Sequence, residues 1–207
     1  DEDMKLGGPD ESAQLPVRLQ FCSEQRFVGE GIGGEGWWFP LLESRIKKLN
    51  ETSVRLYTLS GNSETLYKDA KDSSLYATKD RQWKGRIKAS HFEVTDDAGW
   101  TYDYSDGRLL AAQTHKGDVL RWNYTETKAT AIESKQFARL LSASYDPKTG
   151  MISRIDYNKD ASISFRIGTK PQVTTAPGGT SVISSATSIT GLTNKAGYVM
   201  DGVWERE

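Results

Sequence analysis

Apolar and polar residues alternate along much of this chain, the pattern that predicts β-strands. In residues 100–104 three aromatic rings occupy every second position, so they share one face of a strand while polar residues line the other. Residues 53–59, 86–95, 119–124 and 162–167 repeat this alternation. The pattern predicts an all-β fold in which sequential antiparallel hairpins form a curved meander or an open solenoid or spiral sheet.

Turn residues separate these strands at a regular pitch. Asp106-Gly107 follows the aromatic strand, and glycine supplies the positive φ that a tight hairpin turn requires. Gly117 lies ten residues further on, and the same step separates Gly150 from Asp160. Short strands between turns at this spacing are typical of an all-β meander or solenoid.

Residues 41–49 fit two structures. Pro40 suits the first position of a helix whose Leu42, Ile46 and Leu49 would form one apolar stripe. Residues 50–52 equally suit a turn that joins a strand over 41–49 to the next strand. We favour the strand.

Composition divides the chain into four parts. Residues 1–16 are acidic and contain Gly and Pro, which predicts a flexible lead-in to a hairpin domain over residues 17–168. Residues 169–193 are rich in Ser, Thr, Gly and Pro and predict a linker or irregular segment, because such a tract buries little apolar surface. Alternation around Val182 and Ile189 leaves a β-rich structure open. Residues 194–207 predict the start of a further, truncated repeat.

A longer motif runs from the aromatic strand into the following hairpin. Its residues are Tyr102, Tyr104, Asp106, Gly107, Arg108 and Leu109, then Gly117, Trp122 and Tyr124. A degenerate second copy runs from Tyr145 and Asp146 to Gly150. The motif resembles the YD repeat of Rhs-type proteins, in which Tyr-Asp, a short turn and Gly-Arg-Leu precede a second Gly. It departs from that repeat in the longer spacing between Tyr102 and Gly107 and in the Met-Ile that follows Gly150.

The resemblance implies a β-hairpin spiral that serves as a wall, scaffold or carrier in a large secreted or cell-surface protein of bacteria. It implies neighbouring repeats or domains of the parent protein as partners. Open sheet edges also predict self-association. In this family any toxic enzyme is a separate domain behind a self-cleaving aspartyl site, and the sequence contains no match to either.

Charge and composition argue against two classes of partner. The chain has 27 basic and 28 acidic residues, for a net charge of -1, so it lacks the positive field that attracts nucleic acid or anionic lipid. Its apolar runs are too short to span a bilayer. We therefore expect neither nucleic-acid binding nor membrane insertion. Cys22 is the sole cysteine, which excludes an intramolecular disulfide and indicates a packed strand thiol.

One glycine-rich segment matches a cofactor motif in form only. Gly29, Gly31 and Gly34 have the spacing of a dinucleotide-binding fingerprint. However, Glu30 would repel a pyrophosphate, and Trp37 stands where the phosphate-binding helix should begin. We interpret the segment as a loop packed closely against the tryptophans, and we expect no cofactor.

The two histidines and the acidic turns have simpler explanations than catalysis. His91 and His115 have no ligand at metal-site spacing, and we interpret both as solvated surface residues. The aspartates of the turns lack the dense spacing of a calcium loop and suit Asx turns. A hydrolase built on scattered acids such as Glu35 and Glu43 is the least favoured hypothesis. We expect neither a metal site nor an enzyme.

The sequence therefore favours a non-enzymatic structural or scaffold β-repeat module of a larger secreted or cell-surface (envelope) Rhs-like protein. The alternative is a carbohydrate- or surface-binding module that uses exposed aromatic rings. Trp37 and Trp38 are the candidates for its ligand platform, because rings on an open sheet face stack on sugars. The remaining tryptophans of the strands alternate with apolar residues, which predicts that they pack in the core.

Overall fold

The computed structural model describes residues 5–6, 15–17, 19–21, 31–34, 36–134, 139–157, 161–175, 181–194 and 199–201. Its strands are β1 (Lys5–Leu6), β2 (Leu15–Pro16), β3 (Gln20–Phe21), β4 (Trp37–Trp38), β5 (Arg45–Asn50), β6 (Ser53–Tyr57), β7 (Ser63–Lys68), β8 (Leu75–Ala77), β9 (Lys84–Lys88), β10 (His91–Thr95), β11 (Thr101–Ser105), β12 (Arg108–Gln113), β13 (Val119–Thr125), β14 (Lys128–Ser134), β15 (Leu141–Tyr145), β16 (Ile152–Tyr157), β17 (Ala161–Thr175), β18 (Ser181–Asn194) and β19 (Val199–Asp201). The helix α1 (Pro40–Glu43) lies between β4 and β5. The all-β prediction is confirmed.

The ambiguous segment at residues 41–49 combines both of its expected structures. Pro40 opens the single turn of α1, as a proline at a first helical position does. The chain then becomes the strand β5, and Asn50 forms the expected turn by accepting hydrogen bonds from the backbone N–H of Thr52 (2.9 Å) and the hydroxyl of Ser53 (2.9 Å).

The chain divides into two compact units, one made of Asp1–Arg18 and Pro40–Ser142, the other of Leu19–Phe39 and Ala143–Glu207. In the first unit the strands β5 to β12 form a closed antiparallel barrel. Each strand pairs with the next in sequence, and β12 returns to β5 through the pair Arg108 and Arg45. The N–H of Ile46 donates to the carbonyl of Gly107 at 2.8 Å across this seam.

The hairpin meander is therefore confirmed, but an open solenoid is wrong for β5 to β12. Adjacent strands of a sheet are rotated in one direction, so a long enough meander curls until its first and last strands meet. The edge of β12 that faces away from β11 pairs with two different strands. Arg108 pairs with β5, while Ala111, Ala112 and Gln113 pair with β13, where β13 and β14 continue the sheet outside the barrel.

The barrel interior is filled by the apolar positions of the alternating pattern. Leu56, Leu66, Val94 and Leu109 are fully inaccessible to solvent. The interior also contains Val54, Tyr76, Tyr102 and Tyr104, each of them buried. Beside the barrel, α1 packs on β14, and the carbonyl of Leu41 accepts a hydrogen bond from the Trp122 indole at 2.8 Å.

Four turns at one end of the barrel and its extension share a hydrogen-bond pattern. Thr58, Thr78, Asp96 and Thr114 begin these turns, and the side chain of each accepts a backbone N–H four or five residues later. The residue three positions after each has positive φ, namely Gly61, Arg81, Gly99 and Gly117. Thr58, Thr78 and Thr114 are buried polar residues because their hydroxyl groups complete these turns.

The second unit has the sheet order β16-β17-β18-β19 and the separate pair β3-β4. A hairpin with its turn at residues 146–150 leads into β16, closed by the N–H of Asp146 donating to the carbonyl of Met151 at 2.8 Å. The rings of Phe39 and Phe165 meet edge to face, with centroids 5.5 Å apart. Other buried residues of this unit include Ile152, Ile155, Ile163 and Ile189.

The Ser/Thr/Gly/Pro-rich tract differs from the expected linker. Where residues 169–193 are described they form parts of β17 and β18, which pair from Ile163 with Asn194 to Thr175 with Ser181. Backbone hydrogen bonding to a partner strand compensates for the poor apolar content that suggested irregular structure. In the lead-in, Lys5–Leu6 pairs with Leu15–Pro16. At the other end, β19 pairs with β18, and the rest of residues 194–207 lies largely outside the described residues.

Candidate functional site

The tyrosines of the YD-like motif lie inside the barrel wall, between two antiparallel ladders. Tyr102 and Tyr104 are on β11, with Val94 and Phe92 of β10 as cross-strand partners. Tyr104 also pairs with Leu109 of β12. The prediction of a shared, buried ring face is confirmed for Tyr102 and Tyr104, which are 8% and 2% exposed, but Trp100, the third ring of that face, is half-buried and not part of the core.

Each phenol hydroxyl of the motif binds a neighbouring part of the fold. Tyr102 donates to a carboxylate oxygen of Asp96 at 2.9 Å, and Tyr124 donates to the carbonyl of Leu109 at 2.8 Å. The Tyr104 and Ser44 hydroxyl oxygens are 3.0 Å apart. Because the single proton of the Ser44 hydroxyl points to the Tyr57 carbonyl (2.8 Å), Tyr104 must be the donor to Ser44.

Burial makes these phenols poor acids. It raises the pKa of Tyr104 well above its usual value, and it does the same for Tyr102, where the Asp96 carboxylate adds to the effect. Burial raises the pKa of Tyr124 to about 12, although the Arg108 cation opposes the shift. All three hydroxyls therefore stay protonated at neutral pH and act as hydrogen-bond donors.

The turn and strand residues of the motif have structural positions. Asp106 and Gly107 have φ values of 49° and 76°, the pair of positive angles of a two-residue hairpin turn. A Cβ at Gly107 would lie 2.7 Å from the carbonyl oxygen of Ile46, so only glycine fits beside the barrel seam. The Arg108 guanidinium lies 5.5 Å from the Tyr124 ring centroid and donates to the carbonyl of Glu126 at 2.7 Å.

The remaining residues of the motif also lie in the core or in turns. Leu109 is 0% and Trp122 4% exposed, and Gly117 takes a positive φ of 93° in its turn. In the degenerate copy, Tyr145 ends β15 and Gly150 has a φ of 70°. The carboxylate of Asp146 accepts backbone N–H groups from residues 148 and 149, which lowers its pKa and closes the turn.

The two tryptophans expected to form a ligand platform are buried in this structure. Trp37 and Trp38 form β4 and are 8% and 4% exposed. The glycine loop packs on them, since a Cβ at Gly31 would overlap the Trp37 carbonyl and one at Gly33 would lie 2.7 Å from the Trp37 Cβ. The interpretation of this segment as a loop against the tryptophans is confirmed. Gly29 and Glu35 lie outside the described residues, as does Cys22.

His91 is not a simple solvated side chain. Its Nδ1 lies 2.8 and 3.0 Å from the two carboxylate oxygens of Asp103 on the next strand. The sequence offered a signal for this contact, because the hairpin register places His91 opposite Ser105 and next to Asp103 on the same face. His115 is exposed in its turn, as expected.

A cavity of about 220 Å³ opens beside His91 at one end of the barrel. The turn between β9 and β10 and the turn between β11 and β12 form its rim, and Ile46 of β5 contributes to its wall. Sequence reasoning missed this site, because its residues come from four strands that become neighbours only when the barrel closes. Nothing in their local spacing marks them as a group.

Within the described ranges, no cluster of three or more His, Cys, Asp or Glu residues has metal-site geometry. In the same part of the chain, no helix has the length and apolar character needed to cross a lipid bilayer. Glu43 ends α1. Comparison with protein-family models and with curated protein sequences finds no match for the chain.

Proposed function

We propose that the chain is a non-enzymatic structural module of a larger secreted or cell-surface protein, of the kind that Rhs-type repeats form. Its work is to present a rigid β-surface that spaces or shields other domains. Its expected partners are neighbouring repeats or domains of the parent protein. We also expect the module to self-associate through the edges of its sheet.

One observation carries this proposal. The polar atoms of the motif's aromatic residues are bound by the fold itself: Tyr102 by Asp96, Tyr104 by Ser44, Trp122 by Leu41 and Tyr124 by Leu109. A site that bound substrate through these groups would present them to solvent. Here these polar groups form hydrogen bonds between different segments of the fold and so stabilise it, as expected of a scaffold.

The test compares stability with binding and turnover. The wild-type chain, Tyr104→Phe and the exposed-residue control Tyr67→Phe are assayed for thermal stability, protease resistance and activity on a panel of hydrolase substrates. A scaffold predicts that Tyr104→Phe lowers stability and protease resistance and that wild type turns over nothing on the panel. Turnover by wild type that is lost in a surface variant of unchanged stability would overturn the proposal.

A carbohydrate-binding module remains the second candidate, with a different platform. Trp83 and Trp100 are half-buried and flank Tyr102, with ring centroids 5.7 and 6.3 Å from it. Partly exposed indole rings grouped in this way are suited to stacking on sugar rings. Glycan-array binding that disappears in Trp100→Ala but survives in Tyr67→Ala would support this function. An array on which wild type binds no glycan would exclude it.

A further inference from the structure

The cavity at the barrel end has an apolar interior. Ile46, Ile87, Phe92 and Tyr104 line it, from four different strands. Ile87 is 42% exposed although it shares the inward face of β9 with the buried Gly85, so the barrel is open to solvent at this end. A volume of about 220 Å³ equals that of roughly seven liquid waters, which suits a short alkyl chain.

The rim of the cavity carries an unneutralised negative charge. Asp106 lines the opening and is exposed, and among the described residues its carboxylate has neither a hydrogen-bond nor a salt-bridge partner. Two basic residues next to these turns, Lys88 and Arg108, have other partners. Lys88 pairs with Glu93 at 2.7 Å, and the Arg108 guanidinium binds the Glu126 carbonyl.

His91 adds a second polar group with a defined role. A carboxylate only accepts hydrogen bonds, so the contact with Asp103 fixes the proton on Nδ1. The lining therefore combines this anchored imidazole and the Asp106 carboxylate with an apolar interior.

Two of the four non-glycine residues with positive φ in the described part of the chain lie at the same opening. Ala89 and Asp106 are both non-glycine residues with positive φ, 53° and 49°, and both line the cavity. Such conformations cost free energy and are often retained where they position a binding surface.

We propose that this opening binds a primary alkylammonium group, with the ammonium against the Asp106 carboxylate and the alkyl chain against Ile87 and Phe92. An aromatic ring near the cation adds a further attraction. Two sources share this chemistry, a lysine side chain of a partner protein and a free small amine. The proposal stands independently of the scaffold function.

The experiment is an amide-resolved NMR titration of the whole chain with n-pentylammonium. We expect saturable shifts at residues 87–92 and 106–107 with a dissociation constant on the order of 1 mM, as a ligand with few atoms allows. The neutral analogue 1-pentanol should bind about threefold to fivefold more weakly, because Asp106 is exposed and an ion pair at the surface supplies only a factor of that size.

Two variants and one control locate the interaction. Asp106→Asn removes the charge, and asparagine tolerates positive φ, so the turn is kept. We expect about threefold to fivefold weaker n-pentylammonium binding. Ile87→Ser should weaken both probes severalfold. The control Asp97→Asn alters an exposed aspartate in the turn between β10 and β11 and should change nothing.

A second titration uses Nα-acetyl-lysine methylamide to distinguish the sources. Binding that depends on Asp106 supports a lysine side chain as the ligand, and binding of n-pentylammonium alone supports a free amine. The proposal is overturned if neither cation produces saturable shifts at the opening. It is also overturned if 1-pentanol binds as tightly as the amine and Asp106→Asn has no effect.

Discussion

The hydrogen-bond chain from Tyr104 through Ser44 to Tyr57 allows a sharp prediction of stability. It joins β11, the segment before β5 and the end of β6, so it crosses the region where the barrel closes. In Tyr104→Phe, Ser44 keeps its bond to the Tyr57 carbonyl, and the cost is one neutral buried hydrogen bond. We expect a loss of about 1 kcal/mol in the free energy of unfolding.

Ser44→Ala should cost more than Tyr104→Phe. It removes the hydroxyl bond to the Tyr57 carbonyl and leaves the buried Tyr104 hydroxyl without its acceptor, for a loss of about 1–3 kcal/mol. In the double variant the Tyr104 hydroxyl is gone, so no hydroxyl is left without an acceptor. The double variant should therefore be no less stable than Ser44→Ala alone.

Urea unfolding of the four proteins, followed by circular dichroism, measures these free energies. Tyr67→Phe is the matched control, because its ring is 44% exposed and surface changes usually stay within about 0.5 kcal/mol. Strict additivity of the two single variants would refute the reasoning, since it would show that the two hydroxyls do not interact. So would a Tyr104→Phe variant that is as stable as the control.

Three further predictions concern other parts of the fold. Gly34→Ala should destabilise the chain by about 2–5 kcal/mol in urea unfolding. Gly34 has a φ of 83°, and a Cβ there would lie 2.6 Å from the Thr187 carbonyl oxygen. A loss of less than about 0.5 kcal/mol would contradict the loop packing. Glu126→Gly should stabilise the chain by about 1 kcal/mol by relieving a φ of 55°, and a loss in the same assay would argue against that strain. Absorbance titration at alkaline pH should show a group of tyrosines, Tyr124 included, that ionise only near or above pH 12. The stability linked to their raised pKa values is fully present below about pH 10, the ordinary pKa of tyrosine, and is lost as the pH rises through the pKa of the folded state. Ionisation of all tyrosines near pH 10 would contradict their burial.

Local structure was readable from the sequence because each hairpin is determined by neighbouring residues. The alternation in residues 100–104 indicates the buried ring face, and Asp106-Gly107 indicates the two-residue turn. The turns that begin at Thr58, Thr78 and Thr114 also carry a readable signal, a threonine three residues before a positive-φ position. Glycine spacing alone does not reveal this signal at Thr78, because the positive-φ residue there is Arg81.

Barrel closure and the candidate site were not readable in the same way. The seam depends on Arg45 and Arg108, which are far apart in sequence and carry no pattern that marks them as partners. The limit applies in part to Trp37 and Trp38: the neighbouring glycine loop was expected to pack against them, but the contact of that loop with Ser188 and Ile189, far away in the chain, carries no sequence signal. Aromatic residues in a strand indicate one buried face, but only the complete topology shows whether a particular ring is covered.

Closure of the barrel is the central feature of this fold, and a disulfide across the seam between β5 and β12 tests that closure directly. Cα partners in an antiparallel ladder lie at a distance that a disulfide can bridge, so Arg45→Cys with Arg108→Cys in a Cys22→Ala background reports whether β5 and β12 meet. The control pair, Arg45→Cys with Arg86→Cys, joins β5 to β9 on the opposite side of the ring. Closure predicts that mild oxidation links the first pair within one chain and leaves the second pair as free thiols. A first pair that stays reduced, in protein with an unchanged circular dichroism spectrum, would show that the barrel is open.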